Sequence, residues 1–128
     1  MDVTEPDRRR PGSVYRHGTE PDPRFSLANE RTALAWVRTA LALVAGGVGL
    51  TSVARLVGLS RWVDAVAGVM CLLGGWLAIS AVLGWRRKEV ALRTGLPLPA
   101  PVALPWLAGA VVVGALALAF VVLTARGR

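Results

Sequence analysis

Between Thr32 and Ala54 a single charged side chain, Arg38, interrupts 23 residues of otherwise uncharged sequence. At about 1.5 Å per helical residue, this stretch reaches across a hydrocarbon core of roughly 30 Å with some tilt. Two further apolar runs follow, Ala65 to Trp85 without a charge and Pro105 to Ala125, the latter closed by Arg126 and Arg128. The expected fold is therefore an all-α integral membrane protein. Its three transmembrane helices are expected at about 27–54, 62–86 and 104–125, preceded by a disordered or surface-lying N-terminal segment. With a mean hydropathy of +0.51, the 128 residues leave no length for a second core.

The segments between the runs fix the boundaries. Residues 1–21 hold Pro6, Pro11 and Pro21 among alternating acids and arginines, a composition that predicts a disordered cytoplasmic tail ahead of a three-span domain over 22–128. Asp22-Pro23 offers a helix start, with the carboxylate as cap and proline in the first turn. Arg55 to Arg61 reads as a short outer loop, followed by Trp62 at the interface and Asp64 at the positive end of the next helix. Arg86-Arg87-Lys88-Glu89 is expected to end the second helix. Leu92 to Pro105, with four prolines, reads as a stiff linker.

Of the 15 basic residues, 14 are arginine, and they flank the apolar runs. That placement argues for topology signals and contacts with anionic headgroups, and against nucleic acid. Ten of them fall on the amino-terminal tail and the second loop. Four fall on the first loop and the carboxyl end. Positive-inside then puts the amino terminus in the cytoplasm and the carboxyl terminus outside.

Arg31 and Arg38 stand seven residues apart, about two helical turns, and so share a face. Ala35, Ala42, Ala45 and Gly49 fall near the same direction, and Trp36, Leu43 and Leu50 lie nearly opposite. Small side chains on a membrane helix mark the approach of another backbone. The arginine face is thus expected to meet protein or a cavity, while snorkelling of Arg38 to headgroups stays open beside it. In the second run, Ala67, Cys71 and Gly75, with Gly74 and Ala78 beside them, form a second expected packing face.

One cysteine and one histidine, Cys71 and His17, give no recognisable metal or haem ligand set, and no cofactor is expected. Enzymatic activity is not expected either. Glu30 and Asp64 belong to opposite membrane faces, and no glycine-rich loop carries a phosphate-binding lysine.

The stretch from Asp22 to Thr32, with Leu34-Ala35-Trp36 and Arg38-Thr39, resembles the YidH-like family of small bacterial inner-membrane proteins, which bear a three-span domain of unknown function. Asn29-Glu30-Arg31-Thr32-x-Leu34-x-Trp36 is the specific core of the likeness, which covers most of residues 22–125. The domain is in turn similar to the membrane part of the eukaryotic vacuolar transporter chaperone, a polyphosphate polymerase complex. That resemblance implies an oligomeric bundle whose first helices surround a path for a polyanion. Carried over by motif, it implies Arg24 and Arg31 as channel-lining cations with Glu30 as their acidic neighbour. Arg86 and Arg93 are weaker candidates, and Arg38 matches the bacterial pattern only. The chain has no polymerase domain, so the resemblance does not carry polyphosphate synthesis.

Two functions are weighed. The preferred one is an oligomerising membrane scaffold or accessory subunit, in which Arg31 and Arg38 pair with Glu30 or Glu89 of neighbouring copies. The alternative is an oligomeric conduit or binding module for polyphosphate or another anion, lined by arginines of the first helix. Rings of arginine without counter-charge are costly unless water or anions fill the space.

Overall fold

The computed structural model describes residues 9–58, 61–100 and 103–126, with the side chains of the last helix described as far as Leu116. The described residues form a short turn of helix, α1 (Gly12–Tyr15), and three longer helices, α2 (Pro23–Val57), α3 (Trp62–Thr94) and α4 (Ala103–Arg126). α2 and α3 are each long and apolar enough to cross a membrane, and Ala103–Leu116 is a shorter apolar stretch.

Helix α2 is one continuous rod. The Asp22 carboxylate accepts the Arg24 N–H at 2.9 Å, which occupies one of the orphan donors of the first turn. Pro23 lacks the N–H that this position would waste. The polar 22–31 segment and the apolar run therefore belong to the same helix. At the far end the helix runs past the expected limit of Ala54 to Val57, so Arg55 is helical and not part of a loop. A cation in the last turn suits the negative end of the helix dipole. Gly58 stops the helix at φ +69°, a left-handed conformation that glycine adopts without strain.

Helix α3 also outruns its expected boundary. Arg86-Arg87-Lys88-Glu89 does not end it; the helix continues about two turns past Arg86 to Thr94 and stops at Gly95, φ +68°. Nothing between Glu89 and Thr94 breaks a helix, so charge marks where lipid ends and not where the helix does. The linker correspondingly begins at Gly95.

The two helices form an antiparallel hairpin that carries most of the interhelical packing. Its seam is built on two rows at seven-residue spacing: Ala40, Gly47 and Ala54 on α2, and Ala67, Gly74 and Ala81 on α3. A heptad spacing keeps one face toward a partner over many turns. A Cβ on Gly74 would come within 2.7 Å of Val44 and 2.8 Å of the Ala40 carbonyl. One on Gly47 would meet the Ala67 carbonyl and Cys71 Sγ at 2.8 Å. Close backbone approach is what attracts helices in lipid, where apolar burial supplies no drive.

This seam corrects two expectations. On α2 the buried residues Asn29, Ala40, Gly47 and Ala54 lie about 160–200° around the helix from Arg38. α3 therefore occupies the side of Trp36, Leu43 and Leu50, and the arginine face, expected to meet protein or a cavity, turns away from it. On α3, Ala67, Cys71 and Gly74 meet α2 as expected, whereas Gly75 faces open space. Large apolar side chains such as Leu41, Leu72 and Val113 remain uncovered on the outer faces.

Candidate functional site

The arginine-rich end of the hairpin holds a buried polar cluster. Glu89, Arg93 and Asn29 are only 3%, 5% and 8% exposed. The Glu89 carboxylate accepts Ser26 Oγ–H at 2.8 Å on one oxygen and Asn29 Nδ2–H at 3.3 Å on the other. Asn29 Nδ2 also donates to the Trp85 carbonyl at 3.1 Å. One turn along α3, Arg93 Nε stands 3.5 Å from Glu89 Oε1, an ion pair too long to satisfy that nitrogen by a hydrogen bond. Burying charge is expensive, and two hydrogen bonds with one opposite charge offset the loss of water.

The segment before α2 closes over this cluster. Composition predicts disorder across 1–21, yet from Arg9 onward the chain lies along the C-terminal end of α3. The Thr19 N–H donates to the Arg93 carbonyl at 3.0 Å, which satisfies an orphan acceptor at the helix end. Gly18, at φ +62°, permits that approach, since any Cβ there would overlap the same carbonyl oxygen. Two guanidinium groups stand over the Tyr15 ring, Arg9 at 4.8 Å and Arg93 at 4.7 Å from its centroid. Val14 is buried, and Glu20 stands 3.5 Å from Arg93. Two apolar side chains and opposed charges supply the contacts that composition alone does not reveal. Residues 1–8 lie outside the described residues.

The residues singled out from sequence fall elsewhere. Arg24, Glu30, Arg31, Arg38 and Arg86 are all exposed. Because α2 is continuous from Pro23, Arg24 joins Arg31 and Arg38 in one row at seven-residue intervals, each step about 10 Å. The row faces away from α3. Among the described residues, the ion pairs are Arg9–Glu20, Arg93–Glu20 and Arg93–Glu89, and no arginine of the row has an acidic partner there. Arg86 is not brought to the row; it lies beside α1, with Val14 and Leu96. Glu89 is occupied inside its own hairpin, which removes it as a counter-ion for a neighbouring copy.

Ser26, Asn29, Glu89 and Arg93 are the interacting residues that the helical wheel missed. A signal was present for Asn29 alone, which extends the Ala40, Gly47, Ala54 stripe by eleven residues, three helical turns, whereas Glu89, eight residues beyond Ala81, falls about 80° off the facing row.

A groove runs along one flank of the hairpin and encloses about 360 Å³. Trp36, Trp76 and Trp85 line it, Pro99 and Ala100 of the linker close it over, and Arg87 and Lys88 stand at its charged end.

Residues 24–91 match the family model described as a domain of unknown function, DUF202. The chain belongs to the DUF202 family. It is 46% identical over 86 residues to the inner membrane protein YidH of Escherichia coli (strain K12), a match covering 67% of this chain and 75% of that protein. It is 43% identical over 111 residues to the uncharacterized protein Rv2272 of Mycobacterium tuberculosis (strain H37Rv), covering 80% and 85%. No solved structure matches. The matched DUF202 segment begins at Arg24 and ends at Ala91, so it contains the whole seam and Glu89, while α1, Arg93 and α4 lie outside it. Two apolar helices of crossing length, in a family with inner-membrane members, make this chain a membrane protein.

Proposed function

We propose that this DUF202 protein is a three-span inner-membrane module that assembles with other copies of itself and serves as a scaffold or accessory subunit. Its amino terminus and second loop lie in the cytoplasm. One observation carries the reading: Arg24, Arg31 and Arg38 form a row on the face of α2 opposite α3, flanked by Ala35, Ala42, Ala45 and Gly49, with no acidic partner among the described residues. An arginine within an apolar helix needs a partner or water, and small side chains let a second backbone come close. Glu30 lies about 100° around α2 from Arg31 at nearly the same depth. In a ring of parallel copies, Glu30 of one subunit would reach Arg31 of the next, which fixes register.

A second reading rests on a charge imbalance. α2 carries three arginines in this row and one acid, Glu30, so pairing between copies leaves cations over. An anion path between subunits, of the kind implied by the resemblance to the polyphosphate polymerase complex, would use them. The test is reconstitution of the full chain and of Arg38→Ala in liposomes, with the oligomeric mass measured in mild detergent. A scaffold keeps no anion flux in either protein and loses oligomer in the variant. A conduit shows flux or polyphosphate binding that Arg38→Ala removes while the oligomer survives. A monomer in mild detergent would overturn both.

A further inference from the structure

The groove between α2 and α3 is separate from the arginine row and adjoins the buried Glu89 cluster only at Asn29 and Trp85. Its walls are apolar and aromatic, with Trp36 on α2 and Trp76 and Trp85 on α3, while Ser80 and Thr32 add hydroxyls. From Trp76 to Arg87 it follows eleven residues of α3, about 16 Å. Its volume of about 360 Å³ falls in the range of ligand sites. At one end the uncharged run Ala65–Trp85 gives way to charge, and there Arg87 and Lys88 line it. Among the described residues neither cation has an acidic partner, because the neighbouring Glu89 is engaged by Ser26, Asn29 and Arg93.

We infer that this groove is a binding site for one anionic phospholipid. Its phosphate sits between Arg87 and Lys88, and an acyl chain lies along Trp85, Trp76 and Trp36. A soluble anion would leave the apolar length unused, and an uncharged hydrocarbon would leave two cations unused. The depth also fits, since the cations stand where the apolar run ends, at the level of headgroups, and tryptophans favour that boundary. Gly84 lines the groove, and a Cβ added there meets nothing within 4 Å. The space is therefore real room along the helix and can be filled by mutation without a clash at its base.

The test is native mass spectrometry of the full-length chain released from detergent, titrated with phosphatidylglycerol or phosphatidylcholine. The expected result is one retained phosphatidylglycerol per chain, bound about tenfold more tightly than phosphatidylcholine, as two cations near a headgroup imply. Arg87→Gln with Lys88→Gln brings the two lipids to parity. Gly84→Leu, which fills the groove, loses the retained lipid while the chain stays helical by circular dichroism. Removing equal charge outside the groove, by Arg10→Gln with Arg16→Gln, leaves the preference intact. Parity in the parent protein, or equal loss in the Arg10/Arg16 control, would overturn the proposal. So would displacement of the lipid by inorganic phosphate at matched ionic strength, which would make the site one for free phosphate.

Discussion

Asn29 on α2 and Glu89 on α3, 60 positions apart, meet in a hydrogen bond of 3.3 Å that is closed to solvent at the arginine-rich end of the hairpin. The bond joins the first turns of one crossing helix to the last turns of the other. The seam of small residues brings the rods together, and this polar pair fixes how far one can slide along the other.

Breaking the pair should be costly in proportion to what is left behind. Glu89→Ala strips Ser26 and Asn29 of their acceptor, leaves the buried Arg93 guanidinium with Glu20 as its carboxylate, and is expected to destabilise the fold by about 3 kcal/mol. Asn29→Ala leaves the carboxylate with Ser26 and Arg93 and is expected to cost about 1–3 kcal/mol. The double variant should fall short of the sum by at least about 0.5 kcal/mol, as groups in one network do. Reversible unfolding in mild detergent gives all three values; additive effects would mean that the two residues act independently.

The glycines of α3 separate by what surrounds them. Gly74→Ala drives a methyl into Val44 and the Ala40 carbonyl, so the hairpin must open or shift, at about 1–3 kcal/mol. Gly75→Ala, one residue on, meets open space and should gain up to about 1 kcal/mol from helix propensity. Thermal midpoints of the two variants should move in opposite directions. Equal losses would place α2 against the wrong side of α3.

Gly18→Ala tests the segment that covers the cluster. The new methyl would overlap the Arg93 carbonyl in a backbone conformation that alanine resists. The stretch from Arg9 to Glu20 should detach, and limited proteolysis there should speed up several-fold while α2 and α3 keep their helical signal. Unchanged proteolysis would show that these residues do not rest on α3.

The helices were legible in the sequence because their signals are local. Hydropathy gave the apolar runs, Asp22-Pro23 gave the start of α2, and Trp62 with Asp64 gave the start of α3. Charge predicts ends at Ala54 and Arg86, both too early, because the backbone is stopped by Gly58 and Gly95. The face was misread for a different reason. α2 carries two rows of small side chains, Ala35-Ala42-Ala45-Gly49 and Ala40-Gly47-Ala54, and a wheel cannot say which one the neighbouring helix takes. That choice is made 60 residues away, where Glu89 needs Asn29. Arg31 and Arg38 share a face by spacing alone and Arg24 joins them only because α2 is continuous, whereas the contacts of Ser26, Glu89 and Arg93 join distant segments and cannot be read from spacing along either one.

The central claim is that the arginine face of α2, turned away from α3, is where copies of this chain meet. Single cysteines at Ala42 and Ala45, in a Cys71→Ala background, test it by oxidative cross-linking in native membranes, with cysteine at the exposed Leu72 of α3 as the comparison. Covalent dimers from 42 and 45, with none from 72, are the predicted result; dimers from 72 alone, or from no position, would contradict it.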